Sequence, residues 1–221
     1  VITLGGGYAA SGQTDNSGYV SRLYDASNGL ITSDAHCVLC AGSGYIWIGG
    51  YGGIIRYDGT SFTRMDTSNG LTSGRTLFED SRHRIWVGTN DNGVVVIDGS
   101  ESTHITYKDG LTSSSIRCFA EDSDGNIIIG TTAGLAYVDP ELNLMTIDED
   151  ELNGETILRL CSDAMGTVYG LTKNGLVFAL NDLKVTGIYS GDDLGMDKIT
   201  SIYTNSTEFA KLYFGTAEGM I

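Results

Sequence analysis

The stretch RIWVGTNDNGVVVIDG, residues 84–99, recurs along the chain at a near-constant interval, and this limits the fold more than any other feature. Residues 45–59 read YIWIGGYGGIIRYDG, residues 126–139 NIIIGTTAGLAYVD, residues 167–180 TVYGLTKNGLVFAL and residues 211–221 KLYFGTAEGMI. A weaker copy, ITLGGG, begins at Ile2. The glycine after the apolar triplet marks each copy: Gly5, Gly49, Gly88, Gly130, Leu171 (where leucine replaces it) and Gly215. The spacings are 44, 39, 42, 41 and 44 residues. A fixed period near 40 identifies a repeat architecture. Two more signals keep the same interval. One is NGL or DGL at Asn28, Asn69 and Asp109, with degenerate forms near Leu152 and Leu194; the other is the segment before each triplet, as in TLFEDSRHR from Thr76.

Each unit holds four β-like segments. In the copy that starts at Ile116 they cover residues 116–121, 127–131, 134–139 and, more weakly, 144–147. They are rich in Ile, Val, Tyr and Phe, too short for helices, and separated by Asp-Gly or Asn-Gly steps that signal hairpins. The second and third segments are apolar at nearly every position, so both faces of the sheet should be buried. A four-stranded antiparallel unit of this kind needs a like unit on each side, and stacking such sheets around an axis gives a β-propeller. The expected fold is therefore all-β, a single propeller domain of about five four-stranded blades. Its expected divisions are a partial blade at 1–30, repeats at about 31–70, 71–110, 111–151 and 152–193, and a partial blade at 194–221. Two closures fit: the N-terminal strands complete the last blade, or the chain is an arc of a larger, seven-bladed ring. The second is favoured slightly. The chain opens at Val1 without methionine or a signal-like segment, which suggests an excised piece.

Composition narrows the partners. The 31 glycines against the single Pro140 imply many tight turns. With 28 acidic and 13 basic residues the net charge is −15, which argues against nucleic acid or an anionic membrane surface. No apolar run is long enough to span a bilayer, so no membrane insertion is expected of this segment. Cys37 and Cys40 form a CxxC, but on one strand they would point to opposite faces, and no second pair or histidine cluster completes a zinc site. Cys37, Cys40, Cys118 and Cys161 are read as buried structural thiols.

The combination IWVGT..NGV..ID with NGLTS and ED..G.I closely resembles the regulator-propeller repeats of bacterial two-component sensors. The resemblance runs over essentially the whole chain. Trp47-Ile48-Gly49 and Trp86-Val87-Gly88-Thr89 match the core motif, whereas the later copies carry Ile128, Tyr169 and Tyr213 in place of tryptophan. It implies the extracytoplasmic, periplasmic or cell-surface, part of a membrane receptor with a histidine kinase or diguanylate cyclase output. Such a propeller senses a ligand, often an oligosaccharide, and the intact receptor could form a homodimer. Relay is implied by the resemblance only; binding is what this segment itself could contribute.

In a four-stranded blade the loop before the first strand and the turn between the second and third lie at one end, where propellers usually bind ligands. The candidate rim is Tyr51, Arg75, Asn90, Asp91, Asn92, Arg117, Lys173, Asn174 and Glu218. Its mixture of arginines, amides and a tyrosine suits a hydroxyl-rich small molecule or oligosaccharide. The plainer alternative for each residue is a solvated turn. Trp47 and Trp86 recur inside apolar strands and are read as packing between blades. The acidic turn at residues 122–126 imitates a calcium loop but has Ala133 where the distal glutamate belongs, so it is read as a hairpin. His36, His83 and His104 are scattered and no nucleophile motif is present, so no catalytic residue, metal site or cofactor is expected. A dimerisation or protein-interaction scaffold, and a propeller glycosidase or lyase, are the alternatives.

Overall fold

The computed structural model describes residues 22–30, 32, 34–65, 68, 70–204, 211–216 and 219–220. The Gly5 copy and Glu218 lie outside these residues. The described residues form five antiparallel sheets in chain order. The first contains β1 (Ala35–Cys40), β2 (Ile46–Gly50), β3 (Gly53–Tyr57) and β4 (Phe62–Arg64). The second contains β5 (Thr76–Glu79), β6 (Ile85–Gly88), β7 (Val94–Asp98) and β8 (Glu101–Ile105). The third contains β9 (Ile116–Glu121), β10 (Ile127–Thr131), β11 (Gly134–Val138) and β12 (Leu144–Ile147). The fourth contains β13 (Ile157–Ser162), β14 (Val168–Thr172), β15 (Val177–Asn181) and β16 (Lys184–Tyr189). The fifth has three described strands, β17 (Ser201–Thr204), β18 (Leu212–Thr216) and β19 (Gly219–Met220). First strands of successive sheets approach one another, so the sheets are propeller blades.

Alternation along each strand builds the core between blades. On β6, Ile85 and Val87 pack toward the first blade with Trp47 and Ile54, while Trp86 packs toward the third with Phe119 and Ile129. On β10, Ile127 and Ile129 face the second blade and Ile128 faces the fourth. Trp47 and Trp86 are 4% and 0% exposed, which makes them packing groups rather than stacking platforms for a ligand.

The marker glycine answers to the same interfaces. A Cβ at Gly49 would lie 2.6 Å from Cys37 Sγ and 2.9 Å from the Gly74 carbonyl oxygen of the next blade. At Gly88 it would meet Ile116 Cγ2 of the next blade at 2.7 Å, and at Gly130 Ile157 Cγ2 at 2.9 Å. Leu171 stands at this position in the fourth blade, opposite Arg159. Beside it, between the fourth and fifth blades, an apolar cleft of about 180 Å³ is lined by Tyr169, Phe178, Leu194, Leu212 and Phe214 among others.

The NGL signal is a capped 3₁₀ turn followed by a core leucine. Asp25 caps Ala26–Asn28 and Thr106 caps Tyr107–Asp109, each in a reciprocal capping box. Gly29 and Gly110 then take φ of 102° and 110°, a left-handed conformation suited to glycine. The leucines that follow, Leu30, Leu71, Leu111 and Leu152, are all buried between or against blades.

The turn between first and second strands is organised by an aspartate. Asp122 Oδ1 accepts from the backbone N–H groups of Asp124 and Asn126, and its Oδ2 accepts from Asn126 Nδ2. The calcium-like segment is thus a hairpin whose leading carboxylate is committed to its own turn. Asp163 and Asp80 do the same in their blades. Asp80 also accepts from Trp86 Nε1 at 2.8 Å and Asp163 from the Tyr169 hydroxyl at 3.3 Å. The first blade has Ala41 at this position, and Trp47 Nε1 is correspondingly buried with no hydrogen-bond partner. Ala41→Asp is therefore expected to stabilise the protein by about 1 kcal/mol, the net worth of a satisfied buried donor. Urea denaturation would read this as a raised midpoint; a lowered midpoint would show that the added carboxylate is not accommodated.

All four thiols are free. Cys118 is buried, Cys37 and Cys161 are half-buried, and Cys40 is exposed. The expectation of four buried thiols is corrected at Cys40, which lies on the same face of β1 as the exposed Val38. Burial pushes the Cys37 and Cys161 thiols from 9.0 up to about 11. The unfolded chain therefore ionises first, and stability is expected to fall as pH rises from about 9 to 11. Denaturation midpoints of Cys37→Ala/Cys161→Ala against the parent chain should show a shallower alkaline decline.

Candidate functional site

The antiparallel register places the start of each first strand beside the end of the second, so interblade loops and inner turns share one end. Their hydrogen bonds confirm the proximity: Asn90 N donates to Ser73 Oγ at 3.1 Å, Ser113 and Thr132 hydroxyls meet at 2.8 Å, and Thr156 Oγ1 donates to the Thr132 carbonyl at 3.1 Å. The threonine after the marker glycine shapes the inner turns. Thr89 Oγ1 donates to the Gly93 carbonyl and accepts from Asn92 N; Thr131 Oγ1 bonds Gly134 O and Ala133 N in the same way. The end is thus a set of rigid turns with variable side chains.

A register slip re-aims one residue on several first strands. In β1 the ladder passes from Ala35 to Cys37, in β9 from Ile116 to Cys118, and in β13 from Ile157 to Arg159. His36, Arg117 and Leu158 are the extra residues of these bulges, a device that redirects side chains near functional sites. Arg75 holds the corresponding place just before β5, its N–H donating to the Gly88 carbonyl at 2.8 Å.

Three expected rim residues come together here. The Tyr51 ring, 65% exposed, meets His36 edge-on at 4.3 Å between centroids, and His36 Nε2 lies 3.4 Å from Asp34 Oδ1. Arg117 is half-buried, and burial first and the neighbouring Arg75 second lower its pKa; Tyr51 also acts on it. The other candidates are placed differently. Asn92 donates through Nδ2 to the Gly70 carbonyl at 3.2 Å, and its own carbonyl bonds His104 Nε2, so this residue is committed to its loop. Asn174 Nδ2 is held by the Glu155 carboxylate at 2.8 and 2.9 Å. Asp91 and Lys173 are exposed and Asn90 half-buried, on the second and fourth blades. Glu218 lies outside the described residues.

Arg159 was not among the candidates. It is exposed on β13 and acts on both Cys118 and Cys161, so it belongs to the same line of first strands. Superposing the repeats on their marker glycines would have found it, because it replaces Cys37, Thr76 and Cys118 of the earlier copies. His83 pairs with Glu79 at 2.9 Å near the opposite end, so the three histidines lie apart. Among the described residues no group of three or more His, Cys, Asp or Glu side chains is placed to hold a metal, and no helix is long and apolar enough to cross a membrane.

The geometry defines a β-propeller of four-stranded repeats with a polar, arginine-bearing end. Residues 69–91 and 110–133 match the two-component regulator propeller, and the chain carries repeats of this type. Each match runs from the NGL signal through the first two strands to the inner turn. The chain is similar to the extracellular domain of a hybrid two-component system from B. thetaiotaomicron, at 20% identity and a TM-score of 0.70 over 90% of this chain and 29% of that one. It is also similar to PorZ, a bacterial surface component of the type-IX secretion system of Porphyromonas gingivalis, at 18% identity and a TM-score of 0.65 over 92% of this chain and 34% of that one. Virginiamycin B lyase from Staphylococcus aureus shares the fold at 11% identity and a TM-score of 0.66, over 84% of this chain and 64% of that enzyme. No curated protein sequence matches. The chain thus spans less than a third of the two-component ectodomain it resembles.

Proposed function

We propose that this chain is the ligand-sensing portion of a bacterial membrane-bound signal-transduction receptor, exposed outside the cytoplasm and non-catalytic itself. Its ligand is a small molecule, preferentially an oligosaccharide, taken at the end formed by interblade loops and inner turns. The carrying observation is the convergence of Tyr51, Arg75 and Arg117 at that end. An exposed aromatic face and charged donors on turns fixed by internal hydrogen bonds are what a hydroxyl-rich ligand requires. The regulator-propeller repeats and the two-component ectodomain of the same fold support the receptor context. The apolar cleft between the fourth and fifth blades lacks polar groups to orient such a ligand.

The test is calorimetry of the chain against a panel of oligosaccharides. At least one should bind saturably, and Tyr51→Ala should weaken that binding about tenfold through the lost stacking face. If none binds while the intact receptor still responds to its stimulus, direct recognition by this propeller is wrong. A sedimentation-stable dimer that carries the signal without ligand would then favour the scaffold reading.

A further inference from the structure

We propose that Arg75 and Arg117 form an oxyanion site, so that the ligand taken at this end carries a carboxylate, sulfate or phosphate group. The inference rests on the ligand-sensing reading and gives the ligand a charge. The two residues hold matching positions on adjacent first strands, Arg75 at the entry to β5 and Arg117 in the bulge of β9. Neither guanidinium makes a salt bridge or hydrogen bond among the described residues. The ion pairs there are His36–Asp34, His83–Glu79 and Arg84–Asp80. The nearby carboxylate of Asp34 faces His36, and Glu155 is occupied by Asn174.

That absence is informative in this chain, where acids outnumber bases 28 to 13. Counter-ions are abundant in the chain, yet among the described residues neither guanidinium has one, and Arg117 is half-buried. Burial without a partner disfavours the charged form, and a like charge alongside adds to the cost. The depressed pKa of Arg117 has these two causes in this order. An arriving oxyanion removes both at once. Guanidinium is suited to it, because its planar fork matches carboxylate, sulfate and phosphate oxygens two at a time. Tyr51 acts on Arg117 from the first blade, and Arg159 adds a third cation on β13. The net charge of −15 repels anions in general, so a ligand that reaches both arginines gains over one that does not.

Calorimetry with trigalacturonate, its neutral methyl ester, galactose 6-sulfate and inorganic sulfate tests this directly. One of the anionic probes should bind saturably and the methyl ester at least tenfold more weakly. Arg117→Gln and Arg75→Gln should each weaken the anion by about tenfold or more, with unchanged denaturation midpoints, while the remote Lys184→Gln leaves binding intact. Preference among the probes assigns the group: carboxylate, sugar sulfate or free anion. Equal binding of ester and acid, or anion binding indifferent to both arginine changes, overturns the oxyanion site and leaves the sensing reading standing. A chain that binds none of the probes, charged or neutral, overturns both.

Discussion

Replacing Asp80 with alanine is expected to destabilise the protein by about 3–5 kcal/mol, the cost of leaving a buried charge without its partner. Asp80 Oδ2 accepts from Arg84 Nε at 2.6 Å and from Trp86 Nε1 at 2.8 Å, while Oδ1 accepts from the N–H groups of Arg82 and Arg84. Arg84 is 5% exposed and lies over the Trp86 ring at 5.5 Å. Its Nη1 reaches the Pro140 carbonyl of the third blade, as does that of Arg82. One carboxylate therefore holds a turn, a core tryptophan and a contact between blades. Asp122→Ala separates these roles: its turn is homologous but its side-chain partner is the neutral Asn126. That variant should lose only about 1–2 kcal/mol. Urea midpoints measured side by side decide the matter, and equal losses would show that the buried arginine contributes nothing special.

The second large effect is expected at Gly49. Alanine there should cost about 2–3 kcal/mol, because the new Cβ meets the Gly74 carbonyl at 2.9 Å as well as Cys37 Sγ. A flexible side chain could turn aside, but a backbone carbonyl on the neighbouring blade moves only if the blades separate. Pairing Gly49→Ala with Cys37→Ala removes the sulfur and leaves the carbonyl. If the double variant regained full stability, the glycine would serve its own strand rather than the interface between blades.

The architecture was legible because it rests on period and alternation, which the residues carry directly. The four strands expected after Ile116 fall at Ile116–Glu121, Ile127–Thr131, Gly134–Val138 and Leu144–Ile147, one residue from expectation at a single end. The tryptophans were legible for the same reason. The site was only half legible. Repeat position puts Tyr51, Arg75 and Arg117 at one end, but the bulge that frees Arg117 from its ladder has no sequence signature in this chain. Nor does pattern show which polar groups are already engaged. Asn92 and Asn174 look like Tyr51 in the sequence, yet Gly70 and Glu155 hold their amides. Cys40 escaped for a related reason, since burial at the end of a strand depends on what lies across from it.

The most direct test is hydrogen exchange on the protein with and without an oligosaccharide that calorimetry shows to bind it. Recognition at the arginine-bearing end predicts slowed exchange in residues 73–75, 90–92 and 115–117. The hairpins at residues 80–84 and 122–126, at the opposite end of the same blades, should be unchanged. Protection confined to those opposite hairpins, or to the outer strands β8 and β12, would contradict the account.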